Sequence, residues 1–375
     1  PMVNVREVVS SKDKREFLNF PLRLYRESPY FVPPLYMDEK KIFRRDYVYY
    51  DTCEAVYYLA ERDGETVGRI SGILQKAHNE KTGEKRVRFT RFDSIDDREV
   101  AKALFDAVED WARSKNMDII CGPLGFSDLE REGLLIDGFD RLATFEEQYN
   151  YEYYRELIEH CGYEKEVDWV ESLLSLPEKP DERLRRTADY IMKRYNLHFD
   201  DSKDIDDFIK RYADKMFVLL DESYENIYGT VPFTEGMKKM MIENFRMIVS
   251  KKYVAVLLDE NDEVVCFGLC IPSIARAVRS SDGHLTPLAL LKIMKSVRSP
   301  EIIDLGLVGV SAAYCNKGVS AAFMSRLMDF MRESGIKYAE TNLNLETNMN
   351  IRTQWKHFNS VEHKRRRAFI KRLDA

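Results

Sequence analysis

The sequence predicts an α/β (α+β) protein made of two tandem folds, each a mixed central sheet flanked by helices. Strand and helix patterns alternate along the 375 residues, and the order strand, helix, hairpin, strand, helix, strand occurs twice. The tetrapeptide Asp110-Trp111-Ala112-Arg113 also aligns without gaps on Asp329-Phe330-Met331-Arg332. We therefore expect domains at residues 1–177 and 181–375, separated by the Pro177-Glu178-Lys179-Pro180 break. A chance match between amphipathic helices is the alternative to duplication.

The first half alternates between period-two and period-3.6 hydrophobic patterns. Its clearest signal is Arg62-Asp63-Gly64, an Asp-Gly turn between two alternating apolar runs, which predicts a hairpin. The predicted strands are residues 2–9, 54–62, 65–74, 85–92, 117–121 and 166–176. The predicted helices are residues 13–27, 96–115 and 151–161.

The second half repeats this order and adds a helix at residues 183–194. A second hairpin is predicted across Asp259-Glu260-Asn261-Asp262. The predicted strands are residues 197–200, 253–258, 264–271, 302–310, 338–343 and 364–373. The remaining predicted helices are residues 204–224, 234–250, 287–297, 317–334 and 348–358.

Composition disfavours several function classes. The formal charge is −6, from 58 basic and 64 acidic residues, so no overall positive field attracts a nucleic acid. The six cysteines include no Cys-x-x-Cys pair and no histidine at metal-ligand spacing, which predicts reduced thiols and no metal. No apolar run reaches the roughly 18 residues of a membrane span, and an export signal is not recognisable. We expect a cytoplasmic protein with no nucleic-acid partner and no membrane span.

One strand-to-helix turn carries a chemical signal. The run Val308-Gly309-Val310-Ser311-Ala312-Ala313-Tyr314-Cys315-Asn316-Lys317-Gly318-Val319-Ser320 places a glycine just before a predicted helix. Such a turn aims unpaired backbone N–H groups and the helix dipole at an anion, for which pyrophosphate is a natural ligand. Asn316, Lys317 and Ser320 would add a donor, a charge and a hydroxyl. A tight turn without any ligand is the alternative interpretation.

The stretch from Ile302 to Arg372 resembles the cofactor-binding part of the GNAT (N-acetyltransferase) superfamily. That family's loop has the form Arg/Gln-x-x-Gly-x-Gly/Ala, of which this chain keeps the central glycine, Gly318, with Cys315 and Ser320 at the outer positions. Nearly the whole chain also resembles uncharacterised bacterial double-GNAT proteins. This wider resemblance rests on Tyr30-Phe31-Val32-Pro33-Pro34-Leu35, His78-Asn79-Glu80, Gly122-Pro123-Leu124-Gly125-Phe126-Ser127, Asp137-Gly138-Phe139-Asp140 and Glu346-Thr347-Asn348.

The resemblance implies an acyl-CoA-dependent N-acyltransferase, which takes acetyl-CoA or another acyl-CoA as co-substrate and acylates a small-molecule amine. Backbone N–H groups of the strand at residues 308–310 would polarise the thioester carbonyl. The expected cofactor-binding residues are Val308, Gly309, Val310, Cys315, Asn316, Lys317, Gly318, Val319, Ser320, Asn348 and Trp355. Weak candidates for the catalytic groups, which the sequence does not rank, are Glu225, Asp304, Glu340, Glu346 and Tyr314.

The position of the family's proton-donating tyrosine falls on Trp355. An indole N–H donates a hydrogen bond but does not titrate, so Trp355 cannot be the general acid, and a packing role is the favoured interpretation. This departure keeps two other functions open. One is a non-catalytic scaffold or acyl-CoA sensor; the other is an acyl or aminoacyl transferase acting on a cell-wall or lipid precursor. An oligomer is equally compatible with the sequence.

The first half is expected to bind no cofactor. The alignment of the two tetrapeptides puts Asp97 opposite Asn316 and Glu99 opposite Gly318, so a carboxylate replaces the glycine. Acidic groups at a helix N-terminus repel a diphosphate, and Asp96 resembles an ordinary N-cap. The glycine-rich, charged segment at residues 122–140 is interpreted either as a loop lining a site or as a solvated loop.

Overall fold

The structure is a computed structural model that describes residues 2–248 and 250–374. Residues 1, 249 and 375, which the predicted domains and the predicted helix at 234–250 include, lie outside the described residues. The chain forms two compact units, each assembled from separate stretches of sequence. Unit 1 takes the chain up to Trp169, the segment Ala275–Leu290 and the chain from Lys364 onwards; unit 2 takes Val170–Ile274 and Leu291–His363.

Strands and helices alternate along the described residues. The strands are β1 (Asn4–Glu7), β2 (Cys53–Arg62), β3 (Glu65–Gln75), β4 (Arg86–Ser94), β5 (Ile119–Gly122), β6 (Leu134–Asp137), β7 (Glu164–Ser175), β8 (His198–Phe199), β9 (Val254–Leu258), β10 (Val264–Pro272), β11 (Ile302–Val310), β12 (Tyr338–Glu340), β13 (Asn344–Leu345) and β14 (Asn359–Arg372). The helices are α1 (Ser11–Leu24), α2 (Tyr36–Lys40), α3 (Lys76–Thr82), α4 (Arg98–Ser114), α5 (Tyr153–His160), α6 (Glu182–Arg194), α7 (Ile205–Tyr224), α8 (Glu235–Ile248), α9 (Ala275–Ser280), α10 (Pro287–Arg298), α11 (Val319–Ser334) and α12 (Met349–Gln354).

The sheet of unit 1 begins as an antiparallel meander. β1, β2, β3 and β4 pair in sequence order. β4 then pairs in parallel with β5, with Arg86 opposite Ile119. β14 closes the sheet by running antiparallel to β5, with Phe369 opposite Gly122, and it also pairs with β6. The strand that completes unit 1 is therefore the last strand of the chain.

Unit 2 has the same strand order. β8, β9, β10 and β11 pair antiparallel in sequence order, and β11 pairs in parallel with β12. The closing strand here is β7, which runs antiparallel to β12 with Ser175 opposite Tyr338. The sequence pattern predicts β7 as the last strand of the first half, yet its end belongs to unit 2. The compact units thus differ from contiguous halves, and the duplicated domains at residues 1–177 and 181–375 stay a prediction.

Helix α11 supplies much of the unit 2 core. Its methionines Met324, Met328 and Met331 are buried against Ile303 of β11 and Ala339 of β12. Its first turns pack Val319, Ala322 and Phe323 against Ala188 of α6 and Leu257 of β9 in a second cluster. This packing fixes the start of α11, and with it the glycine-containing turn, relative to the sheet.

The predicted fold class, a mixed α/β arrangement with helices flanking the sheet, is confirmed. The differences are local. The strand predicted at residues 338–343 ends at Glu340, the helix predicted at 348–358 ends at Gln354 in a one-turn 3₁₀ helix, and the last strand starts at Asn359 instead of residue 364. Among the described residues no helix combines the length and the apolar character that a bilayer crossing needs.

Candidate functional site

Strands β11 and β12 of unit 2 diverge at a fork. They pair over three positions only, the last being Asp304 opposite Glu340. β12 ends at Glu340, whereas β11 continues to Val310 and stays paired with β10 on its other side. Among the described strands none covers residues 305–310 on the side that faces away from β10. We call this side the open edge of β11.

Two hydroxyl groups from the last turn of α7 bind the open edge. Tyr224 Oη donates to the carbonyl oxygen of Val308 at 2.9 Å and accepts from its N–H at 3.4 Å. Ser223 Oγ donates to the carbonyl oxygen of Val310 at 3.2 Å and accepts from its N–H at 3.3 Å. The strand expected from the sequence to polarise a thioester therefore has two of its N–H groups in contact with hydroxyls that the sequence analysis missed.

The open edge leads into an exposed turn before α11. Asn316 and Gly318 have left-handed backbones, with φ of 65° and 78°, and residues 315–318, including Cys315, are exposed. Gly318 is the N-cap of α11 and offers no side chain to the first N–H groups of the helix, which have no partners within a helix. A Cβ on Gly318 would lie 3.3 Å from Cδ1 of Ile191. The turn has the features that an anion site requires.

The positive charge at this turn is held by aromatic rings. The Lys317 ammonium lies 5.3 Å from the ring centre of Tyr195 and 5.1 Å from that of Tyr314. Both distances are within the range of a cation–π contact. Lys317 is thus fixed beside the helix start.

Helix α4 of unit 1 starts in a different way. Its N-cap is Asp97, one residue after the Asp96 favoured by the sequence pattern, and its carboxylate accepts from the N–H of Glu99 at 2.9 Å. Asp97 also pairs with Arg62 at 2.8 Å, and this hydrogen bond lowers the pKa of Asp97. The N-terminus of α4 is therefore capped by a carboxylate of the chain itself, whereas α11 begins at a glycine without a side-chain cap.

A buried histidine contacts one of the two candidate bases that meet at the fork. Asp304 and Glu340 are paired neighbours, and Glu340 Oε2 lies 3.0 Å from Nε2 of His363. His363, whose side chain is 2% exposed, places Nδ1 3.1 Å from the carbonyl oxygen of Glu171. Because a carbonyl oxygen only accepts, Nδ1 of His363 donates to Glu171, which leaves Nε2 facing the Glu340 carboxyl group.

The other candidate catalytic groups lie elsewhere in unit 2. Glu225 is exposed at the C-cap of α7, and Glu346 is half-buried before α12. Tyr314 precedes the turn, where burial, followed by the charges of Asp259 and Glu260, raises its pKa and makes it a weaker acid. The structure thus brings Asp304 and Glu340 together, whereas Glu225, Glu346 and Tyr314 lie on separate elements.

Two of the expected cofactor-binding residues have structural contacts. Asn348 caps α12, with Oδ1 accepting from the N–H of Ile351 at 3.3 Å. Trp355 is 7% exposed and packs in the core with Ile303 and Ala339. Among the described residues its indole N–H has no hydrogen-bond partner. The packing role favoured for Trp355 agrees with this environment.

No protein-family model matches the chain. Two curated proteins are similar over most of its length. "Protein YghO" of Escherichia coli (strain K12) is 26% identical over 98% of this chain and 95% of its own length. "Bacterial ceramide synthase" of Caulobacter vibrioides (strain NA1000 / CB15N) is 24% identical over 81% of this chain and 80% of its own length.

Solved structures match the whole chain. A tandem GNAT protein from the clavulanic acid biosynthesis pathway superposes with a TM-score of 0.56 at 10% identity and covers 100% of this chain and 99% of its own. A GCN5-related N-acetyltransferase from Sphaerobacter thermophilus gives a TM-score of 0.52 at 11% identity, over 100% and 96% of the two chains. At such low identity the likeness establishes architecture alone, and it confirms the resemblance seen in the sequence: the chain has the tandem GNAT fold.

Proposed function

We propose that this protein is an acyl-CoA-dependent N-acyltransferase whose site lies in unit 2. The observation that carries the proposal is that three features follow one another along β11. The fork frees one edge of β11, hydroxyls meet that edge at Val308 and Val310, and the same strand leads to the turn at the start of α11. A thioester and the diphosphate attached to it need these features in this order.

The turn supports binding of the diphosphate. The N–H groups at the start of α11 have no side-chain cap, Gly318 leaves room that a Cβ would take, and Lys317 supplies a cation. A helix N-terminus with such a neighbour favours an anion electrostatically. Unit 1 lacks this arrangement because Asp97 already caps α4, so we propose that acyl-CoA binds to unit 2 alone.

The open edge supplies groups for the chemical step. In acyl transfer the amine nitrogen bonds to the carbonyl carbon, the carbon–sulfur bond breaks, the nitrogen loses a proton and the sulfur gains one. The Tyr224 hydroxyl, held by Val308 at 2.9 Å, is suited to give the proton to sulfur, a role that Trp355 cannot take. The carboxylates Asp304 and Glu340, with His363, are the best-placed groups to accept the proton from nitrogen, since they cluster at the fork.

A lipid amine is the acceptor class that one relative favours. The Caulobacter relative is named a ceramide synthase, and a ceramide is the N-acyl derivative of a long-chain amino alcohol. This agrees with the alternative, drawn from the sequence, of a transferase acting on a lipid precursor. We propose a primary amine on a long-chain amino alcohol as the first acceptor to test, with short amines as the comparison.

Binding of the acyl donor is tested by exchanging one glycine. Gly318→Glu puts a carboxylate at the turn in a left-handed position, and we expect it to abolish the thermal stabilisation that an acyl-CoA gives the wild type. Gly335→Glu is the matched control, because Gly335 caps the other end of α11 with φ of 68° and has open space around it. Both variants carry backbone strain and one extra charge, and they differ in location and in the 3.3 Å contact that a Cβ at Gly318 makes with Cδ1 of Ile191.

The outcomes separate the functions. Equal stabilisation of both variants by acyl-CoA would remove the turn from the donor site. If Gly318→Glu alone loses binding but the wild type releases no CoA with either amine class, the protein is an acyl-CoA sensor. Release of one CoA for each N-acyl product formed supports the transferase.

A further inference from the structure

Unit 2 contains an apolar cavity beneath α7 and α8. The cavity has a volume of about 50 Å³. Among the described residues every side chain that lines it is apolar, and the wall comes from α7, α8, β9, β10 and β11. The lining residues are Ile205, Phe208, Ile209, Ala213, Met216, Phe217, Leu220, Met241, Ile242, Phe245, Val254, Phe267, Leu269 and Leu307.

The chemistry of this wall restricts the occupant. Protein interiors are normally close-packed and hold few voids larger than a water molecule, and this cavity exceeds the roughly 10–15 Å³ that one water needs. A wall without polar side chains gives water nothing to bind, and such cavities accept apolar guests instead. The wall is equally unsuited to a nucleotide, a diphosphate or an amino group, which would be left without hydrogen bonds. A hydrocarbon chain matches it.

The cavity ends where the thioester carbonyl is expected. Leu307 of the wall directly precedes Val308, and Leu220 of the wall lies one helical turn before Tyr224 on α7. Tyr224 and Val308 are joined by the 2.9 Å hydrogen bond of the open edge. The α7 side and the β11 side of the cavity therefore both adjoin this pair of residues.

Two of the lining residues suit a guest of variable length. Met216 lies on α7 and Met241 on α8, on the two helices that cover the cavity. Methionine is unbranched and polarisable, so it adapts its shape to what it contacts. The cover of the cavity can thus adjust to chains that fill it to different depths.

We propose that this cavity binds the hydrocarbon chain of the transferred acyl group, so that the donor is a medium- or long-chain acyl thioester and not acetyl-CoA. The inference rests on the proposed acyl transfer and deepens it by naming the donor class. It assigns the cavity to the donor and not to the tail of the acceptor, because the lining residues Leu307 and Leu220 adjoin Val308 and Tyr224, where the donor carbonyl is expected.

The experiment measures dissociation constants of acetyl-, hexanoyl- and decanoyl-CoA by titration calorimetry, each below its micelle concentration. Burial of a methylene tightens binding by about fourfold, so the wild type should bind decanoyl-CoA at least a hundredfold more tightly than acetyl-CoA. Ala213→Phe fills the cavity and should remove most of this gain, while leaving acetyl-CoA binding within about twofold. Val218→Phe is the control, since Val218 lies on the same helix and is 55% exposed.

Every outcome decides the proposal. Similar affinities for all three donors in the wild type overturn it, and so does a chain-length dependence that Ala213→Phe leaves intact. Ile209→Phe repeats the test from a second lining position, and thermal melting confirms that each variant is folded. If Ala213→Phe changes the preference for the acceptor's tail and not for the acyl chain, the cavity belongs to the acceptor and the proposal fails.

The same data distinguish this proposal from the proposed function. Turnover with acetyl-CoA and no dependence on chain length would overturn the chain site and leave acyl transfer standing. Binding that depends on chain length and on Ala213, without turnover, would support the cavity and overturn the transferase.

Discussion

At the scale of single residues, the chemistry proposed for unit 2 depends on two hydroxyls and one glycine. Ser223 and Tyr224 satisfy the backbone of the open edge, which a strand without a neighbour otherwise leaves to water. Each of them both donates to and accepts from the same residue of β11. A hydroxyl in this arrangement has its single proton on a carbonyl oxygen of β11, so it must rotate away from that carbonyl to give the proton to a leaving sulfur.

Replacing Tyr224 by Phe tests this role directly. The substitution removes the hydroxyl and keeps the ring, so we expect kcat to fall by about 10² to 10⁴, the usual contribution of a general acid, with little change in KM for the acyl-CoA. The measurement is steady-state release of CoA with a long-chain amino alcohol as acceptor.

Tyr212→Phe serves as the control for the Tyr224 variant. Tyr212 lies on the same helix, and its hydroxyl donates to Asp200 Oδ1 at 2.8 Å, so its loss should reduce stability and not kcat. An unchanged kcat in Tyr224→Phe would assign the proton to another source, such as the Glu340–His363 pair at the fork.

The sequence predicted those parts of the candidate site that depend on a local residue pattern, and missed those that depend on contacts between elements. A glycine before a helix is visible as a pattern, and the left-handed backbone of Gly318 agrees with it. Tyr224 gave no signal, because a tyrosine in the last turn of an amphipathic helix looks like any packing residue until the helix is placed on a strand. His363 was missed because it precedes the predicted start of the last strand at residue 364, whereas β14 begins at Asn359.

At the scale of elements, α6 is the helix that the second half adds to the order of the first. Its N-terminus is held by a side-chain cap. Asp181 Oδ1 accepts from the N–H of Leu184 at 3.0 Å, and Oδ2 lies 3.4 Å from Nδ1 of His357. The hydrogen bond from Leu184, followed by that from His357, lowers the pKa of Asp181. α6 packs on α11 and brings Ile191 close to Gly318. Loss of the α6 cap should therefore also affect the turn at Gly318.

Asp181→Ala should lower the free energy of unfolding by about 1 kcal/mol, the usual cost of losing an N-cap. Since the folded pKa lies below the ordinary value near 3.8, this contribution is fully present above that value and is lost as the pH falls through the folded pKa. Urea unfolding at pH 7 and at pH 3 measures both effects.

Asp181→Asn is the matched control for the cap. Asparagine caps as well as aspartate, so this variant should keep most of the stability at pH 7 and show a weaker dependence on acid. Equal losses for Ala and Asn would show that the contact with His357, and not the cap, holds α6.

Long elements were predictable and short ones were not. α4, α7 and α11 each bury a stripe of residues over several turns, and their predicted bounds agree with the structure to within two residues. Elements of a few residues, such as α2, β6 and β13, give too few positions for a period to show. β12 ends early because its pairing with β11 stops at the fork, which is a property of the neighbouring strand and not of the β12 sequence.

The whole molecule has a feature that no local pattern reveals. β14 closes the sheet of unit 1, and β7 closes the sheet of unit 2. Alternating apolar residues identify both segments as strands, but this pattern does not specify which strand each of them pairs with. The sequence therefore predicted the order of the long elements and left the partners of these two strands unknown.

Phe369→Ala tests the dependence of unit 1 on the end of the chain. Phe369 is fully buried and lies opposite Gly122 of β5. Removing a buried phenyl ring costs about 3–5 kcal/mol, and we expect the loss to show as faster amide hydrogen exchange in β5. Val361→Ala is the control, since Val361 lies on the same strand and is 56% exposed, and its effect should stay within about 0.5 kcal/mol. Unchanged protection of β5 in Phe369→Ala would mean that β14 does not stabilise this sheet.

The exchange of β7 and β14 also limits how the gene could be divided. A cut in the linker near Pro177 would separate neither unit cleanly, because the first fragment would keep the strand that unit 2 needs and the second would keep the strand that unit 1 needs. The two fragments would have to be made together and recover activity only as a complementing pair. The two compact units of this protein can therefore only be expressed, or lost, together.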